Sequence, residues 1–230
     1  MKTIGLLGGM SWESSIEYER LINTEVRRRL GGTHSADLLV RSYDFAAIEE
    51  LQERADWDAA GALLAADAAA LEVAGADLIL LCTNTMHRVA PAIEAAISVP
   101  FLHIADATAA AVGRAGVQRV ALLGTRYTME EDFYRGRLSD HGLEVSVPDE
   151  AGRDLVHRVI FDELVRGEVR ADSRLEFIGI IERLVADGAD GVIAGCTEIE
   201  LLVTPDDVPY RYFPTTALHA MAAVDAALDR

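Results

Sequence analysis

Lysine is almost missing from this chain: Lys2 is the only one, and every other long basic side chain is arginine. Pyridoxal-phosphate enzymes hold their cofactor as a Schiff base on a lysine. Lys2 precedes the first predicted strand, at the wrong end of a parallel sheet for catalysis, so the sequence speaks against pyridoxal chemistry. Cysteine is also scarce. Two cysteines in 230 residues do not make a disulfide scaffold. Aromatic residues are 6% of the chain while Gly and Ala abound, which suits tightly packed α/β layers better than a β-sandwich. No apolar run approaches a membrane span, and Ile4–Leu7 is far too short for the core of a signal peptide. The expectation is a cytoplasmic protein with no membrane partner. A net charge of −17 leaves no basic face for nucleic acid, and an acidic substrate would need local cations to offset that field.

What is present is an alternation of short apolar runs with longer helical patterns, the mark of βαβ units and parallel sheet. Ile4–Leu7 reads as a buried strand ending in Gly8-Gly9. A helix follows from Ser11, an N-cap type, with Tyr18, Ile22, Val26 and Leu30 at i+4 spacing. Leu38–Ser42, Leu78–Leu81 and Phe101–Ile104 read as further strands, with an alanine-rich helix over 59–74 that stops at Gly75.

The second half echoes the first. Arg119-Val120-Ala121-Leu122-Leu123-Gly124-Thr125 repeats the pattern of Thr3-Ile4-Gly5-Leu6-Leu7-Gly8-Gly9. Gly188-Ala189-Asp190, leading to Gly195-Cys196-Thr197, repeats Gly75-Ala76-Asp77, leading to Leu81-Cys82-Thr83. Gly8 and Cys82 are 74 positions apart, Gly124 and Cys196 72. Two motifs in the same order at nearly the same interval predict two similar parallel-sheet α/β domains, related by pseudo-twofold symmetry, with the site in the cleft between them. The predicted division gives residues 1–105 with 212–230 to the domain carrying Cys82, and 106–211 to the domain carrying Cys196. The stretch marked by Pro205, Pro209 and Pro214 is expected to be a crossover loop, with a terminal helix from Thr215 packing back on the first domain.

Both cysteines fall where a predicted strand ends and the chain turns toward a helix, and ligands of open α/β sheets bind beyond the carboxyl ends of the strands. Thr83, Asn84 and Thr85 are N-cap types whose hydroxyls and backbone N–H groups are expected at the ligand, and a helix dipole there would favour a thiolate. Inverting an α-carbon requires a proton removed from one face and delivered to the other; two tuned thiols from two similar domains meet that need. Charge developing on the substrate carboxylate would be met by the oriented donors.

These residues resemble the aspartate/glutamate racemase superfamily and, within it, the broad-specificity amino-acid racemases of bacteria. The resemblance rests on Gly8-Gly9-Met10-Ser11-Trp12-Glu13-Ser14, Cys82-Thr83-Asn84-Thr85-Met86-His87 and Gly195-Cys196-Thr197-Glu198-Ile199. It implies a homodimer of two-domain subunits acting on an amino acid without a cofactor, with Cys82 and Cys196 catalytic. It further implies substrate contacts from Met10, Gln52, Thr83, Asn84 and Thr85, and places Thr197 and Glu198 in the second half of the site. Glu200 stands where the family more often has a small residue.

Other readings compete with this one. Either cysteine alone is commonly a small buried hydrophobe, and Cys82 with His87 lacks the spacing and third ligand of a metal site, so no metal is expected. Glu198 is either a base that tunes Cys196 or simply an acid at a helix start. His103 and His157 lie in apolar stretches and read as structural. An aspartate- or glutamate-specific racemase, a hydantoin racemase, a maleate isomerase or a related decarboxylase would use similar architecture. So would a non-catalytic binder of a small metabolite, which has no need of paired thiols.

Overall fold

The computed structural model describes residues 1–229. They form two compact units, 1–104 with 219–229, and Ala105–Leu218. The first runs β1 (Ile4–Gly8), α1 (Trp12–Leu30), β2 (Leu38–Ser42), α2 (Phe45–Glu53), α3 (Trp57–Val73), β3 (Leu78–Leu81), α4 (Ala90–Ala96) and β4 (Phe101–Leu102). Then come α5 (Ile104–Arg114), β5 (Arg119–Gly124), α6 (Arg126–Glu130), α7 (Asp132–Asp140), β6 (Glu144–Ser146), α8 (Glu150–Asp162), α9 (Ala171–Ala186), β7 (Gly191–Gly195), α10 (Thr197–Leu202), β8 (Arg211–Pro214) and α11 (Thr215–Leu228).

Each unit holds one four-stranded sheet, ordered β2-β1-β3-β4 in the first and β6-β5-β7-β8 in the second. Every pairing is parallel. The two orders are the same pattern, so β3 and β7, which lead to the two cysteines, occupy equivalent places. This is a two-domain α/β fold.

The inner strands are apolar along their whole length because helices cover both faces. In the first unit Leu7, Ile79 and Leu81 pack with Leu64, Ala68 and Leu71 of α3. The alternate residues Leu6, Leu78, Leu80 and Cys82 pack with Tyr18, Ile22 and Val26 of α1 and Ala220, Ala223 and Val224 of α11. Tyr18, Ile22 and Val26 are fully buried and share one helix face by their i+4 spacing; burying each contributes about 1.5–3 kcal/mol. Ser11 caps α1 by accepting from the Ser14 N–H at 3.4 Å. In the second unit Ala121, Leu123, Val192 and Ala194 face Val156, Val159, Phe177 and Ile181.

The structure departs from the sequence pattern in three places. Ile104 opens α5 rather than closing β4. Helix α2, capped by Asp44, lies where the sequence offered no periodic signal long enough to read. The proline-marked stretch contains a strand: β8 pairs with β7, Pro214 opposite Ala194. Proline is tolerated there because β8 is an edge strand, with no ladder partner for the missing N–H on its outer side. The segment 212–218 lies with the second unit, and the division falls within α11 between Leu218 and His219. No helix among the described residues is long and apolar enough to cross a membrane.

Candidate active site

In the first unit the site begins where β1 ends. Gly9 has φ +85°, and a Cβ there would lie 2.3 Å from Tyr43 N, so only glycine fits. Its N–H donates to Ser15 Oγ at 2.6 Å, and Ser15 Oγ donates in turn to Ser11 O at 3.1 Å. Met10 follows, buried in the same apolar cluster as Ile48 and Met86. Gln52, on α2, is buried and donates from Nε2 to Met86 Sδ at 3.1 Å.

Cys82 is the first residue beyond β3. Its N–H donates to Leu7 O at 2.9 Å, and its carbonyl accepts from Ser14 Oγ at 3.2 Å. Thr83 is half-buried, Asn84 and Thr85 are buried, and a 3₁₀ turn spans Thr85–Val89. Asn84 stands at the start of that turn without capping it through its side chain. His87 closes the loop on itself, Nδ1 bonding Thr83 O at 2.7 Å. Met10 and Gln52 gather with Met86 on the α3 face of the sheet, whereas the Cys82 side chain continues the α1 and α11 face.

In the second unit β5 and β7 end on facing glycines, Gly124 and Gly195. A Cβ on either would meet a neighbouring carbonyl oxygen at 2.9 Å. Cys196 follows Gly195 and stands at the N-cap of α10 in extended conformation. Its Sγ donates to Glu198 Oε2 at 2.9 Å, with both residues buried. Thr197 Oγ1 lies 2.8 Å from Thr216 Oγ1, and Glu200 Oε1 accepts from the Thr216 N–H at 2.8 Å. Thr215 Oγ1 donates to Ala194 O at 2.8 Å. The Cys196 turn and the start of α11 are thereby stitched together, and Cys196, Thr197 and Glu198 form one group.

The two thiols are tuned opposite to the sequence expectation. Burial pushes the Cys82 thiol up from its ordinary range, and the charge of Glu19 adds to this. Burial likewise raises Cys196 well above that range, reinforced by the charge of Glu198 and by the hydrogen bond to it. The turn after Cys82 has five residues and α10 has six, so neither offers a long dipole to offset complete desolvation. Both shifts favour the neutral thiol over the thiolate. Cys196 has a carboxylate in place to receive its proton, while Glu19 acts on Cys82 through its field.

Some positioning residues escaped the sequence reading. Ser14 and Ser15 act through hydroxyls in the first turn of α1, and Thr216 is 20 positions from the cysteine whose turn it supports. His87 carried a legible signal: it lies four residues after Thr83, the spacing of a side chain that returns to its own turn. No group of three or more His, Cys, Asp or Glu among the described residues could hold a metal ion.

The two parallel four-stranded sheets with their alternating helices define a two-domain α/β class known from other proteins. The chain belongs to the Asp/Glu/hydantoin racemase family, whose sequence model matches residues 7–223. A solved structure from Yersinia pestis assigned to the Asp/Glu racemases is 52% identical over the full length of both chains, with a TM-score of 0.94. An aspartate racemase homologue from Pyrococcus horikoshii is 33% identical over the full length of both, with a TM-score of 0.85. Among curated proteins, the broad-specificity amino-acid racemase RacX of Bacillus subtilis is 26% identical over 140 residues. That match covers 58% of this chain and 57% of RacX, a little over half of each.

Proposed function

We propose that this protein is a cofactor-independent amino-acid racemase of broad specificity in which Cys82 and Cys196 exchange the α-proton on opposite faces of the α-carbon. The observation that carries this reading is the equivalence of the two cysteines: each is the first residue beyond the third strand of its own four-stranded parallel sheet, counted in chain order, β3 and β7. A structural thiol has no reason to recur at the ligand-binding end of both units. Family membership and the likeness to RacX and the Asp/Glu racemases support the same chemistry. On this reading Met10, Gln52, Thr83, Asn84 and Thr85 contact the substrate together with Thr197 and Glu198, and Cys82 and Cys196 exchange its α-proton. A cytoplasmic homodimer is part of the same reading.

In one direction a Cys196 thiolate takes the α-proton while the Cys82 thiol delivers its own to the opposite face; in the other direction the roles exchange. The carbanion's charge falls on the α-carboxylate, which hydroxyl and N–H donors stabilise. Glu198 accepts the Cys196 proton when the thiolate forms.

The test uses chelator-treated protein without added pyridoxal phosphate, a panel of amino acids in D2O, and the variants Cys82→Ser and Cys196→Ser. Serine keeps the shape but is a far weaker acid than a thiol, so each variant should lose racemisation by about two orders of magnitude or more. Each should still wash deuterium into one enantiomer with retention, and the two variants into opposite enantiomers. Near-normal racemisation by either variant would return that cysteine to a structural role.

A further inference from the structure

Beyond the thiols, the first unit contains a buried run of hydrogen bonds with a defined direction. Tyr18, His87 and His219 are at most 1% exposed. His87 Nδ1 lies 2.7 Å from Thr83 O, and its Nε2 lies 3.2 Å from Ile104 N. A carbonyl can only accept and an amide can only donate, so His87 carries its proton on Nδ1 and is neutral. His219 is the opposite tautomer: Nε2 donates to Leu102 O at 2.7 Å, and Nδ1 accepts from Tyr18 Oη at 2.8 Å. The rings of His87 and His219 lie 5.9 Å apart, and His103 packs against His87 at 4.4 Å.

The anchors of this run are not arbitrary points. Thr83 is the residue after Cys82. Ile104 is where the chain leaves the first unit, and His219 is where it returns. The short segment Leu102–Ile104 is held by His219 at one end and by His87 at the other. The loop that carries Cys82 is therefore fastened to both chain crossings through two buried imidazoles.

We propose that His87 is a positioning residue for Cys82, fixing the Cys82–Thr83 backbone to the chain crossings, with His219 completing the constraint. The inference rests on the two-cysteine reading above. It takes no proton from the substrate to either histidine; each works by holding one tautomer.

The experiment separates positioning from general stability by asking each thiol in turn. His87→Gln keeps an acceptor near Nε2 but loses the donor to Thr83 O; His87→Asn keeps a donor near Nδ1. Both are placed in Cys196→Ser and in Cys82→Ser backgrounds, and deuterium wash-in is measured at saturating substrate, so that weakened binding falls in KM. With Cys82 as the remaining thiol, His87→Gln should slow wash-in by about tenfold or more, and His87→Asn should restore most of it. With Cys196 remaining, His87→Gln should leave the rate within about twofold.

Equal losses on the two backgrounds, or no loss with His87→Gln, would overturn the assignment. If His87→Gln fails to fold, His219→Leu carries the same asymmetric expectation. Absence of wash-in from both parent single-cysteine proteins would overturn the two-base reading itself, an outcome distinct from equal losses.

Discussion

Glu198→Gln is the perturbation with the most to say about the chemistry, because it keeps the side-chain volume and removes only the charge. In the structure the Cys196 thiol donates to Glu198 Oε2 at 2.9 Å in a buried setting. Two effects then oppose one another. Burial holds the thiol above its ordinary range, and Glu198 adds to this through its charge and its hydrogen bond, so the variant should make Cys196 more acidic. Yet the group able to receive the proton is gone. A positioned base is worth about 10²–10⁴ in rate, and a hydrogen bond to a charged acceptor about 1.5–3 kcal/mol. Racemisation is therefore expected to fall by roughly 10²–10³, while Cys196 alkylation by iodoacetamide begins at lower pH. The alkylation profile is read in a Cys82→Ser background, so that one thiol is followed, and turnover is read by chiral chromatography in the otherwise wild-type protein. A more acidic thiol with undiminished turnover would show Glu198 to be only an acid at a helix start.

Three further outcomes are expected. Burial lowers His219 from 6.5 to about 4, so the folded chain keeps it neutral while the unfolded chain protonates it below 6.5. Stability is fully present above 6.5 and lost as pH falls toward 4, by roughly 3 kcal/mol. Denaturant melts across that window should show the loss, and His219→Gln should flatten its part. Gly9→Ala places a Cβ against Tyr43 N and O at positive φ and should cost about 1–3 kcal/mol in a melt; unchanged stability would mean that the turn relaxes freely. Finally, Gln52 lies among acids in the segment Glu49-Glu50-Leu51-Gln52-Glu53, so neutral or polar amino acids such as homoserine should be turned over with higher kcat/KM than aspartate. A clear preference for aspartate would refute it.

The parts of the fold legible in the sequence are those set by burial on both sides. Leu78–Leu81 and Gly191–Gly195 are apolar runs because helices cover both faces of each sheet, and the recurrence of Gly-Ala-Asp before each run exposes the duplication. The positions of Cys82 and Cys196 at strand ends followed from the same pattern. Edge elements were less legible. β8 carries Pro214, a residue that argues against a central strand but not against an edge. The direction of the thiol shifts was hidden too, because the strand-to-turn pattern reports where a cysteine sits along the chain and not how much solvent reaches it. Glu198 could be placed beside Cys196 from the motif, but only coordinates show the thiol donating to its carboxylate.

Two thiols that burial raises above their ordinary range put a further condition on the reaction. On the two-base reading each turnover needs one thiolate and one thiol, and the pair must exchange identities between enantiomers. Ionising Cys196 has a local route, since its proton passes 2.9 Å to a carboxylate already in contact. Among the described residues Cys82 has no such carboxylate bond; its backbone is held by Leu7 and Ser14, and burial, with the field of Glu19 added, opposes its ionisation. The two half-reactions are therefore unequal in their chemistry. They cannot be unequal in overall efficiency, because enantiomers have equal free energy and the two kcat/KM values must match at equilibrium. The inequality has to appear within each direction, as compensating differences in kcat and KM and as different acid limbs of the two kcat profiles, while the two kcat/KM profiles coincide at every pH. Glu198 on one thiol and the His87-held loop on the other are two different answers to one requirement: one provides for the charge, the other for the position.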